Sequence, residues 1–237
     1  MHLAYPGPVT STAPDLHDLS ALERRTFDAV LFDLDGTLID STPAVLRSWV
    51  TWAHEHDVDP RSLEGNHGVP AAQIVASVLP PHQVQAALQR IVEIEVADVE
   101  GILVLPGTLD ALAALPGGAC AVVTSCTRVL AHARIGATGL PAPTVVVTAD
   151  DVTTGKPDPA PYLLGARLLG VDPARCLVVE DAPSGLLAGS LAGAATLAVT
   201  TTTRADQLCA DAVVTDLSDV RFTASADGVR VVRVTRR

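Results

Sequence analysis

Clusters of lysine and arginine are missing from this sequence, which has a single lysine, Lys156, in 237 residues and a net charge of −11 at pH 7. Proteins that bind nucleic-acid backbones do so with such basic clusters. We therefore expect no nucleic-acid partner. An acidic protein that binds an anionic ligand needs a local positive charge, and a divalent cation is one source of it.

A CxxC pair is also missing. The four cysteines are scattered through the sequence, and two of them lie inside apolar runs. This spacing argues against a zinc site and a disulfide framework, and it predicts reduced, mostly buried thiols in a cytoplasmic protein. Cys126 lies beside a motif described below, where a redox role is the alternative to core packing. The cysteines are Cys120, Cys126, Cys176 and Cys209.

Signals for secretion or for a membrane are not evident. Residues 1–20 have no basic start and no continuous apolar stretch, so we interpret residues 1–25 as a flexible N-terminal tail and not a signal peptide. Residues 182–203 carry no charge, but their Gly, Ala and Thr content and Pro183 favour a core helix followed by a core strand over a membrane span. No membrane and no obligate protein partner is indicated.

The order of apolar patterns predicts two domains. Helical spacing over residues 42–56, 71–78 and 82–99, with no strand-like run before Pro106, indicates a small helical domain over residues 42–105. From Thr108 onward, helices alternate with short apolar strands, which predicts a mostly parallel, Rossmann-like α/β sheet with both faces covered. Its core domain takes residues 26–41 and 106–237, and a terminal hairpin is expected around residues 226–228.

The most informative motif runs from Phe32 to Leu38 and follows an apolar stretch. Asp33 and Asp35 share one face of an extended segment, and Gly36 allows a sharp turn close to a ligand. One carboxylate can be a metal ligand and nucleophile while the other transfers protons, as phosphoryl transfer through a covalent intermediate requires. A solvated acidic turn is the alternative.

Three further segments with chemically useful residues follow, each at the end of a predicted apolar strand, and ligands of parallel sheets bind beyond such ends. Thr124 and Ser125 offer a hydroxyl and backbone N–H groups for phosphate oxygens, with helix capping as the alternative. Lys156 lies in a rigid loop before a helix, where it can neutralise charge shared by a phosphoryl group and a carboxylate, or be an ordinary surface lysine.

The last strand end carries Glu180 and Asp181. Adjacent carboxylates at a buried strand end repel each other unless a cation compensates them, and Mg²⁺ prefers such hard oxygen ligands. An acidic pair that caps the next helix is the alternative.

In this order the motifs resemble the haloacid dehalogenase-like (HAD) superfamily over residues 27–219, and the helical domain is similar to the C1 cap of its subfamily I. The chain resembles most the sugar- and polyol-phosphate phosphatases of the glycerol-3-phosphatase and 2-deoxyglucose-6-phosphatase type. That narrower similarity rests on Asn66-His67-Gly68 and on residues 123–128, 149–152, 155–162 and 180–185.

The resemblance implies a role for each motif residue. Asp33 attacks phosphorus and becomes an aspartyl phosphate, while Asp35 protonates the leaving alkoxide and then activates water. Thr124, with Ser125, and Lys156 bind the phosphoryl group. The expected ligands of Mg²⁺ are Asp33, the backbone carbonyl of Asp35, Asp181 and Glu180.

The resemblance also implies that the cap closes over a small phosphorylated sugar or polyol, with Asn66 and His67 selecting the substrate. A mutase of the β-phosphoglucomutase type is the main alternative, but Val45 stands where that family has a histidine. A haloacid dehalogenase would lack the second Asp, which is Asp35 here, and phosphonatase needs a cap lysine that this sequence lacks. A catalytically silent binding module would be expected to have lost a motif residue, and none is lost.

Overall fold

The core of the protein is a six-stranded parallel sheet in the order β5-β4-β1-β6-β7-β8. The computed structural model describes residues 18–63 and 70–234. The sheet confirms the predicted α/β fold class. Its strands are β1 (Ala29–Phe32), β4 (Cys120–Val123), β5 (Val145–Val147), β6 (Cys176–Glu180), β7 (Ala195–Val199) and β8 (Ala212–Val214).

Both faces of the sheet are covered, and the central strands β1 and β4 are apolar and buried at every position. In β1, Ala29 and Leu31 pack on one side with Tyr162. Val30 and Phe32 pack on the other side, in the larger core cluster. Such continuous apolar strands are typical of parallel sheets between helix layers.

The core helices follow the predicted alternation, with ends shifted by a few residues. Residues 182–203 form a core helix and a core strand as predicted, and no helix in the described part of the chain is long and apolar enough to cross a membrane. Three of the four thiols are buried, also as predicted, and Cys209 is exposed. The helices are α5 (Thr108–Ala113), α6 (Arg128–Thr138), α7 (Ala160–Leu169) and α8 (Pro183–Leu191).

A helical insert leaves the core after β1 and returns before α5. Two short strands, β2 (Ile39–Asp40) and β3 (Leu103–Val104), pair antiparallel at its base. The insert has its own apolar cluster around the fully buried Trp52, whose Nε1 donates to the carbonyl of Ala87 at 2.8 Å. Its helices are α2 (Thr42–Glu55), α3 (Ala71–Val78) and α4 (Pro81–Ala97), with a 3-10 turn over Pro60–Leu63. Asn66 and His67 lie outside the described residues.

The two ends of the described chain meet on the core. The predicted terminal hairpin is confirmed as β9 (Val220–Ser225) and β10 (Gly228–Arg233). The prediction of a flexible tail through residue 25 is wrong for its last part, because α1 (Ser20–Glu23) packs on the core and Leu22 is fully buried. A four-residue helix has too few positions to show a periodic pattern, so sequence patterns contain no signal for it.

Candidate active site

Neighbouring strands bring the predicted residues to one edge of the sheet. Phe32 pairs with Val179 of β6, so the next residue, Asp33, lies beside Glu180. The N–H of Asp33 donates to the carbonyl of Val179 at 3.0 Å. The strand ends of β1 and β6 therefore deliver their carboxylates to the same place, as parallel topology requires.

Lys156 is at the centre of this site. Its ammonium group is 2.6 Å from Oδ1 of Asp33 and 2.6 Å from Oε1 of Glu180, and it donates to the carbonyl of Val123 at 2.9 Å. The side chain is 5% exposed, so the alternative of a surface lysine is wrong. Burial opposes its charge, but the carboxylates of Asp33 and Glu180 keep the pKa of Lys156 well above its ordinary value.

Glu180 is held by the protein at both oxygens. Oε1 also accepts from the hydroxyl of Tyr162 at 2.9 Å, and Oε2 accepts from the backbone N–H groups of Asp181 and Ala182 at 3.1 and 3.2 Å. A Cβ on Gly185 would lie 1.7 Å from Oε1, so only glycine leaves room for this carboxylate. Glu180 is therefore held in a fixed position, from which it pairs with the ammonium group of Lys156.

Asp181 receives two hydroxyl donors, Thr37 at 3.3 Å to Oδ1 and Thr202 to Oδ2. Burial, with added repulsion from Glu180, raises the pKa of Asp181 to about 7. Gly36 has a φ of +86°, and a Cβ there would lie 2.3 Å from Oδ2 of Asp181. The sharp turn expected at Gly36 is present, and the group that comes close to it is Asp181.

The carboxylates form a cluster that fits a divalent cation. One oxygen from each of Asp33, Glu180 and Asp181 lies within 4.8 Å of the others, and all three residues are buried. Three carboxylates face one ammonium group, so two negative charges remain when all are ionised. Burial and Glu180 raise the pKa of Asp33 well above its ordinary value, against the opposing effect of Lys156.

Asp35 has a different set of partners, although it is two residues from Asp33. Its Oδ1 accepts from the hydroxyl of Ser41 at 2.6 Å and lies 2.8 Å from Nη1 of Arg134. Its Oδ2 lies 3.0 Å from Sγ of Cys126. The carboxylate is partly open to solvent, with 24% of the side chain exposed. It is thus firmly oriented at the edge of the site.

Thr124 lies directly after β4 and is buried. Its hydroxyl accepts from the N–H of Cys126 at 3.1 Å. The capping alternative for Thr124 and Ser125 is wrong, because α6 begins at Arg128 and Thr127 is its N-cap. Ser125 is exposed at the site edge of the sheet. The roles of these two residues in phosphate binding stay predictions.

Several residues of the site were missed by sequence reasoning. Thr202 follows β7, and the run of threonines after that apolar strand was the available signal. Arg134 and Glu95 were detectable as charged residues at helical spacing from buried ones: Arg134 is four residues after Leu130, and Glu95 four after Ile91. The missed contacts of the motif residues come from Ser41, Arg134, Tyr162 and Thr202, and Glu95 contacts Arg134.

Known proteins of similar sequence and similar fold include phosphatases and a phosphate-bound structure. Hexitol phosphatase A of Escherichia coli (strain K12) is 40% identical over 212 residues, covering 86% of this chain and 97% of that protein. Glycerol-1-phosphate phosphohydrolase 2 of Saccharomyces cerevisiae is 35% identical over 189 residues, covering 74% and 75%. The crystal structure of CbbY from Rhodobacter sphaeroides in complex with phosphate superposes with a TM-score of 0.72 at 25% identity, covering 81% of this chain and 96% of that one.

The match to a family model covers strands β1, β4, β5 and β6 of the core sheet and the whole helical insert. Residues 27–193 match the model described as haloacid dehalogenase-like hydrolase, and this range holds Asp33, Lys156 and Asp181. The chain therefore belongs to the haloacid dehalogenase-like hydrolase family.

Proposed function

We propose that this protein is a Mg²⁺-dependent phosphatase that hydrolyses a small sugar or polyol phosphate through an aspartyl phosphate on Asp33. The observation that carries the proposal is the position of Lys156, which is buried between Asp33 and Glu180 at 2.6 Å from each. A buried ammonium against a carboxylate nucleophile is suited to stabilise charge as it passes from that carboxylate to a phosphoryl group.

The first step is an in-line attack by a carboxylate oxygen of Asp33. An O–P bond forms to Asp33, the ester O–P bond breaks, and the leaving alkoxide takes a proton from Asp35. Lys156 and the hydroxyl of Thr124 bind the phosphoryl oxygens and hold them for the attack. In the second step Asp35 removes a proton from water, which attacks phosphorus and restores the free carboxylate of Asp33.

The residues present fit Mg²⁺ as the resident cation. Asp33 and Asp181 would hold it with the backbone carbonyl of Asp35, while Glu180, committed to Lys156 and two N–H groups, is the outer member of the set. When bound, Mg²⁺ neutralises charge on the phosphoryl oxygens and on the nucleophile.

The substrate class is inferred from the relatives and from the insert. One relative is named for hexitol phosphates and another for glycerol 1-phosphate, both hydroxyl-rich and small. We infer that the helical insert is a cap that closes over such a substrate and excludes water. Asn66 and His67 remain our candidates for selecting among these substrates.

The test is phosphate release from a panel of hexose, pentose, hexitol and glycerol phosphates, with and without Mg²⁺. We expect turnover that needs Mg²⁺ and that Asp33→Asn reduces by at least about 1,000-fold, since the nucleophile is lost. Asp110→Asn, an exposed change on α5, is the matched control and should leave turnover unchanged. An isomerised sugar phosphate in place of free phosphate would favour the mutase alternative, and binding without any turnover would favour a silent module.

A further inference from the structure

A buried arginine joins the proposed acid/base residue to the helical insert. Arg134, on α6 of the core, has only 4% of its side chain exposed. Its Nη1 is 2.8 Å from Oδ1 of Asp35, and its Nη2 is 3.1 Å from Oε1 of Glu95 on α4 of the insert. Its Nε has no hydrogen-bond partner among the described residues.

Such an arrangement is costly unless the charges are well paired. Taking a guanidinium group out of water is unfavourable by several kcal/mol, and the penalty is offset only by close carboxylates. Glu95 is itself nearly buried, with 11% of its side chain exposed. Both carboxylates are therefore needed to hold Arg134, and they come from two different parts of the fold.

The orientation of Asp35 depends on this arginine. Ser41 donates to Oδ1 of Asp35, and Nη1 of Arg134 forms an ion pair with the same oxygen. Nη1 of Arg134 also contacts Sγ of Cys126, which in turn lies against Oδ2 of Asp35. The guanidinium group of Arg134 is planar and rigid, so a change in how it pairs with Glu95 also changes where it meets Asp35. Glu95 can thus act on the orientation of Asp35 through Arg134.

We propose that Arg134 is a positioning residue through which Glu95 of the helical insert holds Asp35 in place for proton transfer. This inference rests on the proposed function. With the insert seated on the core, Glu95 fixes the guanidinium group and Arg134 fixes the Asp35 carboxylate. When the insert lifts, Arg134 loses one partner, and Asp35 loses its fixed orientation. Proton transfer is thereby confined to the closed state, in which water is excluded.

Two of the chemical steps need Asp35 as an acid or a base, and one step, the release of an aryl leaving group, does not. Release of 4-nitrophenolate from an aryl phosphate needs no proton, whereas release of a polyol alkoxide does. Hydrolysis of the aspartyl phosphate needs Asp35 as a base for either substrate. Loss of the Arg134–Glu95 pair should therefore spare phosphoryl transfer from the aryl ester to Asp33, and it should slow both the transfer from a polyol ester and the hydrolysis of the phosphoenzyme.

The experiment compares 4-nitrophenyl phosphate with the best polyol phosphate for wild type, Arg134→Lys, Arg134→Gln and Glu95→Gln. We expect Arg134→Gln and Glu95→Gln to lower kcat for the polyol ester by about 100-fold with little change in KM. The same variants should give a stoichiometric burst of 4-nitrophenolate and accumulate phosphoenzyme, seen as one added phosphoryl group by intact mass. Arg134→Lys should recover part of the loss.

The controls separate positioning from folding. Glu93→Gln changes an exposed carboxylate two residues from Glu95 on the same helix and should leave both substrates unaffected. Glu95→Gln leaves the Arg134 side chain present in the core, so it carries the test if Arg134→Gln fails to fold. Equal losses for both substrates without a burst, or no loss in Glu95→Gln, would overturn the inference alone. A wild-type protein that hydrolyses no phosphate ester would overturn the proposed function with it.

Discussion

Nζ of Lys156 lies 2.6 Å from Oδ1 of Asp33, and the two side chains are both buried. Lys156 is the only lysine in the sequence. Lys156→Met leaves the carboxylates of Asp33 and Glu180 without their cation. We expect phosphate release to fall by at least about 100-fold, and the free energy of unfolding in urea near neutral pH to fall by about 3–5 kcal/mol.

The control for Lys156→Met is Arg90→Met, which breaks an exposed pair with Glu55 on the insert. Exposed pairs stabilise little, so this variant should unfold and turn over like wild type. Lys156→Arg should recover part of the stability and little of the activity, because a guanidinium group cannot take the place of a compact ammonium between two carboxylates. Full activity in Lys156→Met would contradict the role given to this residue.

Gly185→Ala tests whether Glu180 must keep its present position. The new Cβ would lie 1.7 Å from Oε1 of Glu180, so this carboxylate must move away from Lys156. We expect turnover to fall by at least about tenfold, measured as kcat for the best substrate. Gly136→Ala on α6 is the matched control, since nothing lies within 4 Å of its Cβ. It should keep full activity and gain about 0.5–1 kcal/mol of stability. Unchanged turnover in Gly185→Ala would mean that Glu180 is not needed where it lies.

The site residues that could be predicted from the sequence are those whose positions are set by the ends of the sheet strands. Asp33 and Asp181 each follow a buried strand, and parallel strands end at one edge of the sheet, so local patterns were enough to bring them together. Lys156 was a weaker prediction, because only its loop before α7 was visible in the sequence.

The part that was missed depends on how separate helices pack. Arg134 and Glu95 are 39 residues apart and meet only because α4 of the insert lies against α6 of the core. No pattern within either helix reports that crossing. The burial of α1, which is too short to show a pattern of its own, also depends on contacts that are distant in sequence: Arg230 of the terminal hairpin donates to the carbonyl of Glu23 across 207 residues.

Leu22→Ala tests the corrected view of the N-terminal region. A flexible tail would tolerate the change, but Leu22 is fully buried in the main core cluster. We expect the free energy of unfolding to fall by about 2–5 kcal/mol, with kcat unchanged where the protein stays folded. Leu168→Ala on α7, where the side chain is exposed, is the control and should cost little. A stability equal to that of wild type would contradict the packing of α1 on the core.

The pKa of Asp181 sets the direction of the pH dependence. Burial and repulsion from Glu180 together raise this pKa to about 7, against the opposing hydrogen bond from Thr202. A carboxyl with a higher pKa in the folded state than in the unfolded state binds its proton more tightly when folded. Its contribution to stability is therefore fully present below its ordinary pKa of 3.8 and is lost as the pH rises through about 7.

Mg²⁺ should replace that proton, so we expect its stabilising effect to grow as the pH rises. At about pH 8 the metal-free protein carries the unfavourable charge, and Mg²⁺ should raise Tm by several degrees more than at about pH 5.5. Below about pH 7 the apparent affinity should fall up to about tenfold per pH unit, with proton release on binding in calorimetry. Asp181→Asn should remove most of the difference in Mg²⁺ stabilisation between the two pH values, because an amide side chain does not exchange a proton in this pH range. Equal stabilisation by Mg²⁺ at both pH values would contradict a cation site at Asp33 and Asp181.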